Sequence, residues 1–255
     1  MELNQIQEIA IGWAREVGKI HLSYFRGTNL GIETKSNIYD VVTRADKQGE
    51  AFLLEQIQKL FPDHAVLGEE SGAHAGTGDY LWVIDPLDGT NNFSQGLPVF
   101  TVSIGLQYKG EAVLGVVYAP YFDELYTAVK GGGAYLNGKS LRVSAKSALA
   151  ESVLGTGFPY DKDVNPDNNA GNLVSILPSL RGIRRMGSAA YDLACVAAGF
   201  LDGYWELALY PWDICAGALL VEEAGGIVRS FREDRGISII AGNATIVQKI
   251  GEKIK

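Results

Sequence analysis

The sequence contains few of the residues that build zinc sites or disulfide frameworks. Its 255 residues include three histidines, His21, His64 and His74, and two cysteines, Cys195 and Cys215. No spacing among these residues matches a zinc site. The cysteines lie in apolar segments, which favours buried, reduced thiols, and His21 is expected at the edge of an apolar helix face. The sequence therefore argues against a zinc enzyme and against a disulfide-stapled fold.

Long apolar runs and clusters of basic residues are also missing. No run approaches the roughly 20 apolar residues that cross a bilayer, and residues 1–13 lack the basic and apolar regions of a signal peptide. The net charge is −8, and the longest basic stretch is Arg184-Arg185. We therefore expect a cytoplasmic protein without a membrane or nucleic-acid partner. An acidic protein can still bind an anionic substrate where metal cations, held by clustered carboxylates, reverse the local field.

Apolar periodicity predicts two helices and then a meander of strands in the first half of the chain. Apolar residues recur at steps of three or four over residues 6–24, and a second helix is expected over 45–60 with Leu60 facing inward. Glycine-rich turns separate short apolar runs that predict strands at 65–67, 81–84, 99–108, 112–118 and 125–129.

Strands and helices alternate in the second half. Strands are expected at 153–157, 204–209, 227–229 and 237–241. Helices are expected before residue 180, over 189–198, over 214–224 and at the C-terminus. The change of pattern near 143–150 predicts a first α+β domain, residues 1–145, and a second α/β domain, residues 146–255.

The segment Trp82–Phe93 carries the clearest sign of chemistry. An apolar strand ends at Asp85, Pro86 interrupts regular pairing, and Asp88 follows directly before Gly89-Thr90. This arrangement puts two hard oxygen ligands at one strand end, beside backbone N–H groups that can receive a phosphate. An ordinary turn would also use proline and glycine, but it does not explain the two carboxylates. We interpret the segment as a metal and phosphate site.

A glycine-flanked loop carries two adjacent acids, Glu69 and Glu70, directly after a predicted strand. Adjacent acids in a loop are usually solvated surface, and a metal-binding role is the alternative. The small-residue stretch 72–78 that follows is either a mobile flap beside a site or an ordinary surface loop.

Three further acids have both a structural and a functional interpretation. Glu206, in an apolar strand, is either an outward-facing residue or an acceptor within a site. Asp213, at a predicted helix start, fits an N-cap, which leaves its other oxygen free to bind a metal. Thr43 and Asp46 have the spacing of a capping box, and the alternative makes Asp46 the base partner of an attacking water.

Together these residues resemble the inositol monophosphatase family of lithium-sensitive, magnesium-dependent phosphatases, almost from end to end of the chain. The resemblance rests on the motifs Gly68-Glu69-Glu70-Ser71, Asp85-Pro86-Leu87-Asp88-Gly89-Thr90-Asn91-Asn92-Phe93, Gly187-Ser188-Ala189-Ala190, Trp212-Asp213, Glu223-Ala224-Gly225-Gly226 and Ala241-Gly242-Asn243. One departure is Asn91, where many relatives have threonine. The resemblance implies an α+β and α/β layered sandwich with alternating α-β-α-β-α layers, as in inositol monophosphatase and fructose-1,6-bisphosphatase.

The resemblance implies two or three magnesium ions as cofactors. Glu69, Asp85 and the Leu87 carbonyl would hold one ion, and Asp85, Asp88 and Asp213 a second. A third, weaker ion would lie near Glu69. Glu69 would then also count among the catalytic residues, and Asp88 among the substrate contacts.

The resemblance also implies the reaction. Thr90, paired with Asp46, would orient and deprotonate the attacking water. The backbone N–H groups of Gly89 and Thr90 would bind the phosphate, with Lys35 nearby. The substrate hydroxyls would contact Ser188, Ala189 and Glu206.

The expected function is hydrolysis of inositol monophosphate, a small phosphorylated metabolite, because Glu206 is an acceptor suited to a polyol. Alternatives within the family are phosphatases that act on fructose 1,6-bisphosphate, NADP, histidinol phosphate or adenosine 3′,5′-bisphosphate. An alternative of another class is a regulatory binding protein with the same fold, since one bacterial relative is associated with the transcription apparatus. A homodimer and inhibition by lithium are expectations from the family.

Overall fold

Two sheets, one from each half of the chain, organise the structure, a computed structural model that describes residues 2–255. The helices are α1 (Leu3–Tyr24), α2 (Arg44–Leu60), α3 (Thr90–Ser94), α4 (Ala170–Ile176), α5 (Ala189–Ala197), α6 (Pro211–Glu223) and α7 (Ala244–Gly251). The strands are β1 (Glu33–Thr34), β2 (Val41–Val42), β3 (Ala65–Gly68), β4 (Gly72–His74), β5 (Tyr80–Asp88), β6 (Thr101–Tyr108), β7 (Glu111–Ala119), β8 (Glu124–Val129), β9 (Gly133–Leu136), β10 (Lys139–Ser140), β11 (Val153–Thr156), β12 (Gly182–Arg184), β13 (Gly203–Leu209), β14 (Ile227–Arg232) and β15 (Ile237–Gly242). None of the helices formed by residues 2–255 has the length and apolar character needed to cross a bilayer.

The first sheet has eight strands in the order β10-β9-β8-β7-β6-β5-β3-β4. Its neighbouring strands are antiparallel except β3 and β5, which run parallel. The second sheet has five strands in the order β12-β11-β13-β15-β14, with β11 parallel to both β12 and β13. A separate hairpin, β1-β2, precedes α2.

The helices and sheets form five alternating layers, as the resemblance implies. Helices α1 and α2 cover one face of the first sheet, in a core that includes Trp13, Leu53 and Trp82. Helices α5 and α6 lie between the two sheets and contact both of them. Helices α4 and α7 cover the far face of the second sheet, around the buried Trp205. Burial of apolar surface in these layers is the main stabilising contribution to the fold.

The helices and strands that were predicted occur in the predicted order, although β1, β2 and β12 were not predicted and several details differ. Leu60 is exposed because it is the last residue of α2, and the buried side chains of that helix end at Ile57. Within the stretch 72–78, residues 72–74 form the edge strand β4, and residues 75–78 lie outside any strand. The helix expected to reach residue 180 ends at Ile176, and a 3₁₀ turn containing Pro178 follows. His21 is wholly buried, not at a boundary.

The predicted boundary between the halves agrees with the sheets, which break between Ser140 and Val153. Helices α5 and α6 of the second half nevertheless pack against strands of the first. The division into two domains at residue 145 therefore stays a prediction.

Two glycines let α6 lie directly on the first sheet. Gly105 of β6 and Gly115 of β7 are paired across the two strands. A Cβ at position 105 would lie 2.9 Å from the Cβ of Cys215, and a Cβ at position 115 would lie 2.8 Å from the carbonyl oxygen of Ala216. These distances leave no room for a side chain, so the height of α6 above the sheet depends on both glycines.

We expect Gly115→Ala to destabilise the protein by about 1–3 kcal/mol, because the new methyl group must push α6 away from the sheet. The measurement is urea denaturation followed by circular dichroism. Gly12→Ala in α1 is the control: no atom lies within 4 Å of the new Cβ, so the free energy of unfolding should stay the same or rise by up to ~1 kcal/mol. Equal effects of the two substitutions would contradict this account of the packing.

Candidate active site

A β-bulge brings Asp85 and Asp88 to the same face of the first sheet. Side chains alternate between the faces of a regular strand, so residues three apart point in opposite directions. Asp85 pairs with Ser103 and Asp88 with Thr101, so three steps along β5 match two along β6. The extra residue, next to Pro86 with its missing N–H, lets both buried carboxylates face one cleft.

Parallel pairing of β3 with β5 brings Glu69 to the same edge. Gly68 pairs with Ile84, so the residues that follow them, Glu69 and Asp85, lie side by side. Both line the cleft. The carboxyl ends of two parallel strands therefore supply neighbouring acids, as ends of such strands often do at binding sites.

Two charged side chains hold the loop after β3. The buried Glu50 of α2 accepts hydrogen bonds from Glu70 N at 2.9 Å and Ser71 N at 2.6 Å. Lys35 Nζ donates to Glu69 Oε1 at 2.8 Å and also contacts the Glu70 carboxylate. Burial lowers the pKa of Lys35, but the two carboxylates outweigh burial and hold that pKa above its ordinary value. Lys35 therefore stays charged and is engaged by the acidic loop.

Helix α6 brings Asp213 to the site from the second half of the chain. Asp213 is the third residue of α6, not its N-cap as predicted, because Tyr210 occupies the N-cap position. Tyr210 N donates to Asp213 Oδ2 at 2.7 Å, the bond of a capping box. A carboxylate that accepts one hydrogen bond in this way still has lone pairs that can bind a group in the cleft.

One carboxylate oxygen from each of Asp85, Asp88 and Asp213 lies within 4.8 Å of the other two. Burial, and then the neighbouring negative charges, raise the pKa of Asp85 and of Asp213 well above the ordinary value. Burial also raises the pKa of Asp88 to about 6. Carboxylate oxygens are the ligands that Mg²⁺ prefers, and a cation would relieve the repulsion among them. The donor set therefore fits a divalent cation, with Glu69 adjacent to the group but outside it.

Thr90 connects this acidic cluster to Asp46. Thr90 Oγ1 lies 2.8 Å from Asp46 Oδ1 and 2.9 Å from the Leu87 carbonyl oxygen, and its one proton serves one acceptor at a time. Asp46 Oδ2 accepts from Thr43 N at 2.8 Å and from Thr43 Oγ1 at 2.5 Å, so the predicted capping box is present too. Burial raises the pKa of Asp46 to about 6, and the bonds from Thr43 and Thr90 limit the rise. Such a carboxylate is suited to accept a proton near neutral pH.

The N-terminus of α5 is anchored on Asp88. Ser188, the N-cap of α5, donates from Oγ to Asp88 Oδ2 at 2.7 Å, and Ala190 N donates to the same oxygen at 2.7 Å. A helix N-terminus favours a negative charge. Asp88 therefore joins β5 of the first sheet to a helix of the second half, through one of its two oxygens.

A second bulge, in β13, accompanies Glu206. The pairing of β13 with β15 shifts between Glu206 and Leu209, and Ala208 has a φ of 59°, an uncommon value for a residue with a side chain. Glu206 lines the cleft, so the outward-facing interpretation is wrong. Tyr204 donates a short hydrogen bond to Glu206 Oε2. Burial raises the pKa of Glu206 to about 7, and the bond from Tyr204 limits the rise.

These residues line one cleft with a volume of about 310 Å³. Part of its wall is aromatic: the rings of Tyr210 and Trp212 stack with centroids 4.9 Å apart, and Phe158 and Tyr160 also line the cleft. Loops from the two halves of the chain meet beside it, where Asn37 Nδ2 donates to the Tyr160 carbonyl at 3.3 Å. The volume lies near the lower end of the range for ligand pockets, which suits a small metabolite.

The structure gathers the predicted site residues in this cleft. The residues that line it are Lys35, Glu69, Asp85, Leu87, Asp88, Gly89, Thr90, Ser188, Ala189, Glu206 and Asp213. Asp46 reaches the cleft through Thr90. Gly89 has a φ of 98°, and a Cβ there would lie 2.9 Å from the Val99 carbonyl oxygen, so this turn requires glycine. The roles assigned to these residues from the family resemblance stay predictions.

Three side chains at the site were missed by the sequence analysis. Glu50 follows Asp46 by four residues, so the two acids share one face of α2, and this spacing was the available signal. Tyr204 precedes Glu206 by two residues in a strand, which is the spacing of side chains on one face. Asp192 is the one charged residue in the small-residue segment 189–198, and that isolation was its signal.

Comparisons with known proteins show the family and the fold of the chain. The inositol monophosphatase family matches residues 2–253 of the chain. Similar proteins include the Nus factor SuhB of Pasteurella multocida, 44% identical over 99% of this chain and 97% of that protein. The inositol-1-monophosphatase of Rhizobium meliloti is 42% identical over 95% of this chain and 90% of that protein. The solved structure of inositol monophosphatase from Anabaena (Nostoc) sp. has a TM-score of 0.88 at 40% identity, covering 99% of this chain and 96% of that one.

We expect Mg²⁺ to raise the melting temperature of the protein, and to raise it more at about pH 7.5 than at about pH 5. Burial raises the pKa of Asp88 from 3.8 to about 6. Between these two pH values, the carboxyl group of the metal-free folded protein therefore holds a proton that the unfolded chain has released. This contribution to stability is fully present below 3.8 and is lost as the pH rises through about 6. Magnesium at about 100 times its Kd should add ~2.7 kcal/mol to the free energy of unfolding. Scanning calorimetry should show this as a rise of several degrees in the melting temperature.

Two substitutions of the same kind sharpen this test. Asp213→Asn removes one carboxylate of the cluster and should remove most of the shift that Mg²⁺ produces. Asp202→Asn changes a buried carboxylate that does not line the cleft, and it should keep the shift. A shift that is equal at the two pH values, or that survives in Asp213→Asn, would count against a cation at this cluster.

Proposed function

We propose that this chain, which belongs to the inositol monophosphatase family, is a magnesium-dependent phosphatase that hydrolyses inositol monophosphate to inositol and phosphate. One observation carries the proposal: carboxylate oxygens of Asp85, Asp88 and Asp213 converge within 4.8 Å of one another. The hydrogen bond of 2.8 Å between Thr90 and Asp46 lies beside this cluster. Together they supply a cation site and a base, which is what hydrolysis of a phosphate monoester needs.

The proposed cofactor is Mg²⁺, as two or three ions. Glu69, Asp85 and the Leu87 carbonyl would hold one ion, Asp85, Asp88 and Asp213 a second, and a weaker ion would lie near Glu69. When bound, these cations would neutralise the phosphate's negative charge and lower the pKa of water. The hard carboxylate donors suit Mg²⁺, which prefers oxygen ligands in near-octahedral geometry.

The residues of the chain itself orient and deprotonate the water. When the Thr90 hydroxyl donates to Asp46, the lone pairs of its oxygen are free to accept a hydrogen bond from water. The water proton then passes to Thr90 Oγ1 as the Thr90 proton passes to Asp46 Oδ1. Thr43 holds Asp46 in the required orientation through two hydrogen bonds. Because uncatalysed hydrolysis of these esters is among the slowest reactions known, such positioning contributes to a very large acceleration.

The polyol substrate is supported by Glu206 and by the names of relatives. Glu206 is half-buried and lines the cleft, where its carboxyl group can accept hydrogen bonds from substrate hydroxyls. A relative 42% identical to this chain is named inositol-1-monophosphatase. Fructose 1,6-bisphosphate, NADP, histidinol phosphate and adenosine 3′,5′-bisphosphate are the alternative substrates. Sensitivity to lithium and a homodimer are further proposals that rest on the family relationship alone.

The first experiment is an assay of phosphate release with Mg²⁺ across these compounds. We expect myo-inositol 1-phosphate to give the highest kcat/KM and chelation of the metal to remove activity. A higher kcat/KM with another compound would keep the metal chemistry but overturn the choice of substrate. Release of phosphate at the full rate in the presence of chelator would overturn the metal-dependent mechanism.

We expect Asp88→Asn to lower kcat by more than about 100-fold while the protein stays folded. Residues that merely support a metal ligand contribute about 10–100-fold, and Asp88 is a proposed ligand. The asparagine carbonyl can still accept the bond from Ala190 N, which preserves the anchor of α5. The measurements are phosphate release and circular dichroism.

Asp123→Asn is the control for Asp88→Asn. Asp123 is exposed in a surface turn with a φ of 52°, a conformation that asparagine tolerates. Its activity should match that of the unmodified protein. Near-normal turnover by Asp88→Asn would show that the acidic cluster does not carry the reaction.

A second candidate function is regulatory binding to another protein. It is favoured by the name Nus factor, which a relative 44% identical to this chain carries. An affinity purification with the intact protein and with Asp88→Asn distinguishes the two functions. A stoichiometric protein partner retained equally by both would support a role that does not need catalysis, and its absence would leave the phosphatase as the function to pursue.

A further inference from the structure

The buried Asp192 has a carboxylate oxygen without a partner. Asp192 lies in the first turn of α5, is 1% exposed, and lines the cleft. No hydrogen-bond donor within residues 2–255 reaches its Oδ1 atom. Leaving a buried polar atom unpaired destabilises a protein, and because Asp192 lines the cleft, a group bound there can supply the missing donor.

The end of β11 is shaped to hold this carboxyl group next to that of Glu206. Gly155 and Gly157 are two residues apart, the spacing of one strand face. A Cβ at position 155 would lie 2.8 Å from Asp192 Oδ1. A Cβ at position 157 would collide with the Glu206 carboxyl group. Glycine at both positions therefore leaves room for two neighbouring acids.

The groups that face Asp192 do not neutralise it. Glu206 and Asp88 lie near enough to raise its pKa further after burial has done so, and Arg185 is the cation that opposes them. Arg185 forms no ion pair among residues 2–255 at the distance of a salt bridge, although it lines the cleft. Tyr204 is engaged by Glu206. Asp192 and Glu206 thus lie at this end of the cleft, and Glu206 has a hydrogen-bond donor, Tyr204, whereas Asp192 Oδ1 has none.

We propose that Asp192 is a specificity-determining residue that, beside Glu206, hydrogen-bonds to hydroxyl groups of the alcohol part of the substrate. This inference rests on the proposed phosphatase function and names the class of alcohol, an uncharged polyol. A polyol supplies hydroxyl donors to both acids, including the donor that Asp192 Oδ1 lacks. A second phosphate or a carboxylate between the two acids would bring them no hydrogen-bond donor, and Arg185 is a cation of the cleft that could pair with it instead.

The test compares two esters that differ in hydroxyl groups alone. Myo-inositol 1-phosphate and cyclohexyl phosphate share the ring and the phosphate ester, and the second lacks the remaining hydroxyls. Asp192→Asn keeps one acceptor, whereas Asp192→Leu removes every polar atom of the side chain. For the inositol ester, kcat/KM should fall by about 10-fold in Asp192→Asn and by about 100-fold in Asp192→Leu, mainly through KM. For the cyclohexyl ester it should change less than about twofold.

The melting temperature distinguishes a role of Asp192 in substrate recognition from a structural role. Removal of an unpaired buried acid should leave the melting temperature of Asp192→Asn unchanged or higher. Asp202→Asn is the matched control, because Asp202 is buried but accepts bonds from Ser144, Lys146 and Val153. It should lower the melting temperature and leave the preference between the two esters unchanged.

Each remaining outcome overturns either this inference or the proposed function. An equal loss with both esters would mean that Asp192 acts through the cluster at Asp88, and no loss with either would mean that water is its partner. If the unmodified protein hydrolyses neither ester with Mg²⁺, the proposed function fails. Calorimetric binding of both esters with Ca²⁺ then decides the inference separately: a preference for the inositol ester that disappears in Asp192→Leu supports it, and no preference overturns it.

Discussion

Repulsion among buried carboxylates is the constraint on which the rest of this structure depends. Three acids from two halves of the chain converge within 4.8 Å, where burial disfavours their charge. Such a cluster lowers folding stability unless hydrogen bonds, protons or cations compensate for it. Each acid accepts one backbone N–H bond at a turn or helix start, from Leu87 to Asp85 at 2.9 Å, from Ala190 to Asp88 at 2.7 Å and from Tyr210 to Asp213 at 2.7 Å. These bonds compensate only in part, which is why the cluster favours a cation.

The layer of helices between the sheets makes this convergence possible. Helix α6 carries Asp213 and lies against Gly105 and Gly115 of the first sheet, while α5 is anchored on Asp88. A shift of either helix by the size of a methyl group would change the distances within the cluster. Packing of the core and geometry of the site are therefore one property of this fold, and a substitution remote from the cleft can act on both.

The sequence predicted the acids of the site more readily than their arrangement. The motif from Asp85 to Thr90 pointed to two acids of the cleft, the family resemblance added Glu69 and Asp213, and the apolar periodicities predicted most of the helices and strands. These patterns could not reveal that a bulge turns the Asp88 side chain to the same face of the sheet as Asp85. Nor could they reveal that Lys35 pairs with the acidic loop, because register shifts and long-range ion pairs leave no local pattern in a sequence. Asp213 was interpreted as an N-cap because the helix was expected to start at residue 214, three residues after its actual start at Pro211. Its partner in the capping box, Tyr210, is not a typical cap.

The two ends of the cleft would allow a chain with a net charge of −8 to bind the anion that we propose as its substrate. At one end, cations held by the acids around Asp85 would reverse the sign of the field for a phosphate. At the other end, Glu206 and Asp192 lie outside that group and present carboxyl oxygens that can accept hydrogen bonds. A substrate with one phosphate and a neutral, hydroxyl-rich remainder would match both ends at once. Acids would then serve both ends of the cleft, with bound cations determining which end receives the phosphate.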